Sequence, residues 1–146
     1  IGWIVERDEF RRHAYYNLRS FVCVSSGALA ERLAALAVRQ HRAIWQRNTE
    51  QAARNLSALT AWFQDVSGEI AWVPPRGGFT CFPWLKSQPD SESLCRRLVK
   101  EAGVLFAPGF TFGMPGHFRI GFGVAGARFA EALDRVRAAL QAGVGR

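Results

Sequence analysis

Apolar positions recur at intervals of three and four along most of this chain and alternate only in short runs, so the pattern predicts helices joined by brief strands. Residues 1–5 form a short apolar run that reads as a strand. Asp8 is a candidate N-cap for a helix running through Phe10, Tyr15 and Leu18 toward Phe21. Ser25-Ser26-Gly27 interrupts that pattern, and either serine is placed to cap the next segment. Leu29, Leu33, Leu36, Ala37, Ile44, Trp45, Ala52, Leu56, Leu59, Trp62 and Phe63 follow, reading as one long helix over about 28–63 with room for a kink. A helix of that length needs a second body to pack against.

Beyond Ser67-Gly68 the period shortens. Residues 70–73 read as a strand closed by Pro74-Pro75, and 79–85 as a second strand entered through Gly77-Gly78, with Pro83 marking a bulge or an edge. Asp90 or Ser91 caps a helix whose inner stripe is Leu94, Cys95, Leu98 and Val99, and Gly103 terminates it. Residues 104–107 and 118–122 are two further strands. The last helix carries Phe129, Leu133, Val136 and Leu140 and stops at Gly143. This order predicts an α+β fold: a small, mostly antiparallel sheet covered by helices and preceded by the long helix.

Composition narrows the class. The 146 residues are 49% apolar, with five Trp and eleven Phe, which excludes disorder and supplies a core for one domain, or for one domain with an appended element. No apolar run approaches a membrane span. The first residues lack Met and read as a strand entered midway, the mark of a fragment. Cys23, Cys81 and Cys95 are widely spaced among apolar residues, with no metal-ligand spacing, and read as buried free thiols of a reducing compartment. The five tryptophans, Trp3, Trp45, Trp62, Trp72 and Trp84, fall in apolar periodic segments and read as core.

The net charge of +7 raises nucleic acid as a partner, but the basic residues are dispersed over the polar sides of the predicted helices, with no zinc finger, RNP motif or helix-turn-helix. Solvated helix faces explain them better, and neither nucleic acid nor membrane is expected as a partner. No His pairs with a Ser or Cys in a nucleophile motif, so a hydrolase finds no support.

The candidate chemistry lies near the C-terminal end, in Pro108-Gly109-Phe110-Thr111-Phe112-Gly113 and His117-Phe118-Arg119-Ile120-Gly121-Phe122-Gly123. Strand alternation puts Phe118, Ile120 and Phe122 on one face. Arg119 falls on the other with Gly121 and Gly123, where there is no side-chain bulk to keep an anion from the guanidinium. The planar fork of that group suits a carboxylate. By itself this motif is better explained by an arginine in a structural salt bridge. His117 shares the Arg119 face and could touch a substrate side chain, but a loop histidine marking strand entry is the better reading.

Five pieces taken together resemble, in order, the C-terminal part of fold-type-I pyridoxal-phosphate enzymes of the class I/II aminotransferase group. They are Ile1-Gly2-Trp3-Ile4-Val5; Leu18-Arg19-Ser20 with Ser25-Ser26-Gly27-Ala28; Pro74-Pro75-Arg76-Gly77-Gly78-Phe79; Glu101-Ala102-Gly103-Val104 with the Pro108–Gly113 loop; and Phe118-Arg119-Ile120. The resemblance implies that 1–27 is a remnant of the large cofactor-binding domain, 28–63 the interdomain helix and 64–146 the small substrate-binding domain. It implies that Arg119 grips the substrate α-carboxylate, with Ser25, Ser26, Gly78 and His117 as neighbours of the active site. The parent enzyme it implies is a cytoplasmic homodimer that uses pyridoxal 5′-phosphate to move an amino group between an amino acid and a 2-oxo acid.

The chain departs from that family at one point. Such enzymes need a lysine that forms a Schiff base with the cofactor. Only Lys86 and Lys100 are present, one in a Ser/Gln/Pro loop and the other on the polar side of a helix. The expectation is therefore a chain with no catalytic residue and no metal site of its own, missing its upstream cofactor domain, and neither binding the cofactor well nor transaminating alone. Two alternatives keep the fold: the ligand-sensing domain of a bacterial transcription regulator, and a decarboxylase or lyase. A stand-alone basic interaction domain is disfavoured by the absent Met and the overlong helix.

Overall fold

Helix ends in this chain are set by local capping, and most fall where the sequence places them. The computed structural model describes residues 1–23, 25–66, 68–87 and 90–143. The chain divides into two units, Ile1–Gln46 and Arg47–Arg146.

In the first unit, α1 (Glu9–Val22) starts at Asp8, whose carboxylate accepts the N–H of Arg11 at 2.8 Å. Glu9 in its first turn and Arg19 in its last complement the helix dipole. Several expectations change here. Residues 1–5 form no strand, since a strand needs a partner and the described residues offer none. The cap of α2 (Ala28–Arg39) is Gly27, extended and without a side-chain bond, rather than Ser25 or Ser26. The long helix is broken at Gln40, and α3 (His41–Asp65) resumes from there. Nδ1 of His41 lies 2.8 Å from the carbonyl oxygen of Val38; that oxygen can only accept, so the ring nitrogen carries the proton and serves a carbonyl freed by the break.

Neither α1 nor α2 has a buried residue. Trp3 and Trp45 are 73% and 69% exposed, so they are not core, and Cys23 is exposed as well. Burial is decided by what an apolar face meets, and the described residues of this unit supply too little surface to cover its own.

The second unit holds the core. Asp90 caps α4 (Ser91–Ala102) by accepting the N–H of Ser93, and the hydroxyl and N–H of Ser93 together hold its carboxyl below the usual range. Ser91 instead turns inward. Gly103 ends α4 in the left-handed region, with φ 62°. Two small antiparallel sheets follow. In one, β1 (Ile70–Ala71) pairs with β3 (Trp84–Leu85). In the other the order is β2 (Thr80–Cys81), β5 (Phe118–Gly121), β4 (Ala107–Pro108). The predicted strand over 79–85 splits at Phe82-Pro83, because proline has no N–H to give a ladder, although its carbonyl still accepts the N–H of Phe118 at 2.9 Å. The runs at 70–73 and 104–107 likewise pair over only part of their length.

One face of the three-stranded sheet is buried. Phe118, Ile120 and Phe122 pack with Leu94, Leu98 and Ala102 of α4 and with Phe129, Leu133 and Val136 of α5 (Gly126–Gly143). Val99, placed by its spacing on the inner stripe of α4, is exposed; the stripe narrows to Leu94, Cys95, Leu98 and Ala102. Leu59, Trp62 and Phe63 of α3 complete the cluster, Trp62 donating its indole N–H to the carbonyl of Leu133 at 3.0 Å.

Asn55, 3% exposed, is the polar pin of this core. Its amide donates at 2.8 Å to the carbonyls of both Phe122 and Val124, fastening α3 to the end of β5. Replacing it by Leu keeps the volume but leaves both carbonyls without a donor, which costs about 2 kcal/mol. The urea midpoint of Asn55→Leu should fall accordingly; an unchanged midpoint would show that the two bonds contribute nothing net.

Candidate functional site

The other face of the same sheet is open, and it carries Arg119. The register pairs Thr80 with Gly121 and Cys81 with Ile120, and a bridge joins Trp84 to His117. Carried through, this register sets Phe82 opposite Arg119, while on the other side Ala107 pairs with Arg119. Side chains alternate across the pleat, so Thr80, Phe82 and Trp84 stand beside Gly121, Arg119 and His117. The burial pattern of β5 follows this alternation: Phe118 and Ile120 are buried, Arg119 and Gly121 exposed.

A row of rings begins at the arginine. Its Cζ lies 5.1 Å from the ring centroid of Phe112. Phe82 meets Phe112 edge-on at 5.5 Å and stacks on His117 at 5.0 Å, and His117 lies tilted against Trp84 at 5.6 Å. Among the described residues Arg119 makes no ion pair and no side-chain hydrogen bond. Arg137 shows the contrast: it bridges Asp65 at 2.9 Å and Asp134 at 3.3 Å, which is how a structural arginine behaves in this fold. An exposed guanidinium beside a ring, with no ion pair or side-chain hydrogen bond among the described residues, has its N–H donors available to take a carboxylate through two parallel hydrogen bonds.

The other expected site residues divide between the units. His117 does face the Arg119 side, held within the ring row. Gly78 sits in the left-handed region, φ 79°, just before β2, with nothing near the position of a side chain. The space above Gly121 is open, but at Gly123 the side chain of Phe79 lies 3.3 Å from where a Cβ would stand, so the clear strip beside Arg119 is shorter than alternation alone indicates. Ser25 and Ser26 belong to the first unit, and Arg119, Gly78 and His117 to the second.

Phe112 and Phe82 lie beside Arg119 with no signal in the sequence that names them as candidates. Phe112 was visible within the Pro108–Gly113 motif, but nothing local indicates which strand residue its ring meets.

Beside the Trp84 end of the ring row lies an open depression of about 400 Å³, bordered by Trp84, His117, Met114, Pro115 and Lys86. Its lining includes no acid to meet a pyridine nitrogen. Lys86 is exposed there, and Lys100 is exposed in the last turn of α4. Neither lysine lies in an enclosed site among the described residues, so neither is set to form a Schiff base with pyridoxal phosphate. The two buried thiols are inert: burial pushes Cys81 up to about 12 and Cys95 up to about 11, leaving both neutral near pH 7. Among the described residues no group of His, Cys, Asp and Glu is arranged to hold a metal, and no helix is long and apolar enough to cross a membrane.

Comparison with known proteins places the chain in a family. The family described as aminotransferase class I and II matches residues 1–136. Capreomycidine synthase of Streptomyces vinaceus is 34% identical over 84% of the chain, and the chain spans only 31% of that relative's length. The crystal structure of the PLP-dependent cyclase OrfR superposes with a TM-score of 0.81 at 29% identity, over 88% of this chain and 36% of that one. A PLP-dependent aminotransferase from Streptococcus suis superposes with a TM-score of 0.80 at 25% identity, over 86% of this chain and 33% of that one.

Proposed function

Because this chain belongs to the class I and II aminotransferase family, we propose that it is the substrate-carboxylate-binding part of a pyridoxal-phosphate-dependent aminotransferase, in which Arg119 holds the α-carboxylate. The observation that carries this reading is the guanidinium on the open sheet face, beside the Phe112 ring and without an ion pair among the described residues. Fixing the carboxylate there orients the amine or carbonyl carbon of the substrate toward the cofactor, and that positioning is this chain's share of catalysis. The cofactor, bound elsewhere in the full enzyme, supplies the electron sink for moving an amino group between an amino acid and a 2-oxo acid. In this reading 1–27 belongs with the large domain, 28–63 links the domains and 64–146 is the small domain. Ser25, Ser26, Gly78 and His117 border the active site of a cytoplasmic homodimer. Without a suitable lysine the chain alone is inactive.

A second reading keeps the carboxylate site and changes the reaction. It is favoured by the likeness to a synthase and a cyclase, at 34% and 29% identity. The full-length protein, supplied with pyridoxal phosphate and a panel of amino acids paired with 2-oxo acids, separates the two by mass spectrometry. Amino transfer is expected, the amino acid becoming its 2-oxo acid while the partner gains the amine. Cyclised or decarboxylated products that retain the nitrogen would replace transfer by the second reading. No conversion of any carboxylate substrate would overturn both.

A further inference from the structure

We propose that Phe112 is a positioning residue for Arg119: its ring lies within cation–π distance of the guanidinium and restricts where that group can point, favouring the placement that a carboxylate ligand needs. This rests on the reading of Arg119 as the carboxylate holder and says what holds Arg119 in turn. An exposed arginine samples many rotamers, and a ligand must freeze them. A ring fixed beside the guanidinium removes part of that freedom beforehand. The separation of 5.1 Å lies within cation–π range.

The ring is itself fixed, and this gives the Pro108–Gly113 motif a purpose. Phe112 ends a short 3-10 turn, Gly109–Phe112. The turn is tied to the lead-in of β5, the N–H of Gly109 donating to the carbonyl of His117 at 2.7 Å and the N–H of Met114 to that of Gly109 at 2.9 Å. Ser91, fully buried at the start of α4, accepts from the N–H of Gly109 at 3.2 Å and donates its hydroxyl to the carbonyl of Pro115 at 2.7 Å. Phe82, between β2 and β3, meets the ring at right angles. Backbone anchors and a second ring thus set Phe112 against a side chain seven residues further along the chain.

The test uses the full-length enzyme and the carboxylate substrate that it converts best in the panel above. Phe112 is 46% exposed, so truncation leaves the core intact, and Phe112→Trp keeps a ring as the conservative control. Phe112→Leu should raise KM about three- to tenfold, the scale of one cation–π contact, with kcat within about twofold. Phe112→Trp should restore KM. In an Arg119→Leu background the further change at Phe112 should have no effect. If Arg119→Leu raises KM strongly while Phe112→Leu leaves it unchanged, positioning by the ring is wrong and the carboxylate reading stands. If Phe112→Leu acts equally in both backgrounds, the ring works by another route and the proposal falls. If Arg119→Leu itself changes nothing, both fall.

Discussion

Arg119→Leu in the full-length enzyme should lower kcat/KM for carboxylate substrates by about 10²- to 10³-fold. A bidentate carboxylate–guanidinium pair makes two charge-assisted hydrogen bonds, each contributing about 1.5–3 kcal/mol. Removing both in a partly solvated site costs about 3–4 kcal/mol, and 1.4 kcal/mol is a factor of ten. Arg119→Lys keeps the charge but loses the fork, so its loss should be smaller, about tenfold. Fold stability should hardly change, since the side chain is exposed and enters no ion pair among the described residues. Steady-state kinetics with the two variants, beside a thermal melt, checks this. Retention of kcat/KM within twofold in both variants would remove Arg119 from the carboxylate site.

Gly109→Ala should be the most damaging conservative change in the second unit. A Cβ at this position would run into the carbonyl oxygens of Met114 and His117. Those are backbone atoms, and both are held by hydrogen bonds, the Met114 carbonyl accepting the N–H of His117 at 2.9 Å and the His117 carbonyl that of Gly109 at 2.7 Å, so the turn must open to admit a methyl group. Overpacking of this kind costs about 3 kcal/mol, the upper end of its range. The turn that carries Phe112 moves with it, so carboxylate affinity should fall as well. Gly113 is the control. It occupies the left-handed region at φ 71° with nothing near its Cβ position. Gly113→Ala meets only backbone strain, about 1 kcal/mol, and Gly113→Asn less. Denaturant midpoints of these variants decide the matter: equal losses at positions 109 and 113 would mean that close approach is not what requires Gly109.

The two glycines also show which kinds of information sequence carries. That the motif forms a turn was legible from Pro and Gly alone, since their backbone preferences act within a few residues. That Gly109 is needed for space and Gly113 for its φ was not, because the atoms that crowd Gly109 come from the next strand's lead-in.

Local chemistry determined a good deal of this protein. The caps at Asp8, Asp90 and Gly103 act within one helical turn, so residue type and position suffice to find them. The spacing of Phe129, Leu133, Val136 and Leu140 marked the buried side of the last helix, and strand alternation put Arg119 on the face opposite Phe118 and Ile120. The order of five short motifs identified the family later matched over residues 1–136. Tertiary structure alone decided the rest. Trp3 and Trp45 have the periodicity of core residues yet are exposed, because burial depends on the surface a face meets. The strands are shorter than their apolar runs because pairing depends on a neighbour's register. Asn55 bonding across 67 residues to Phe122, Ser91 bracing the turn, and Phe112 lying against Arg119 are meetings between segments with no local signature. Periodicity reports which face of an element is apolar, but only the packed chain reports what that face touches.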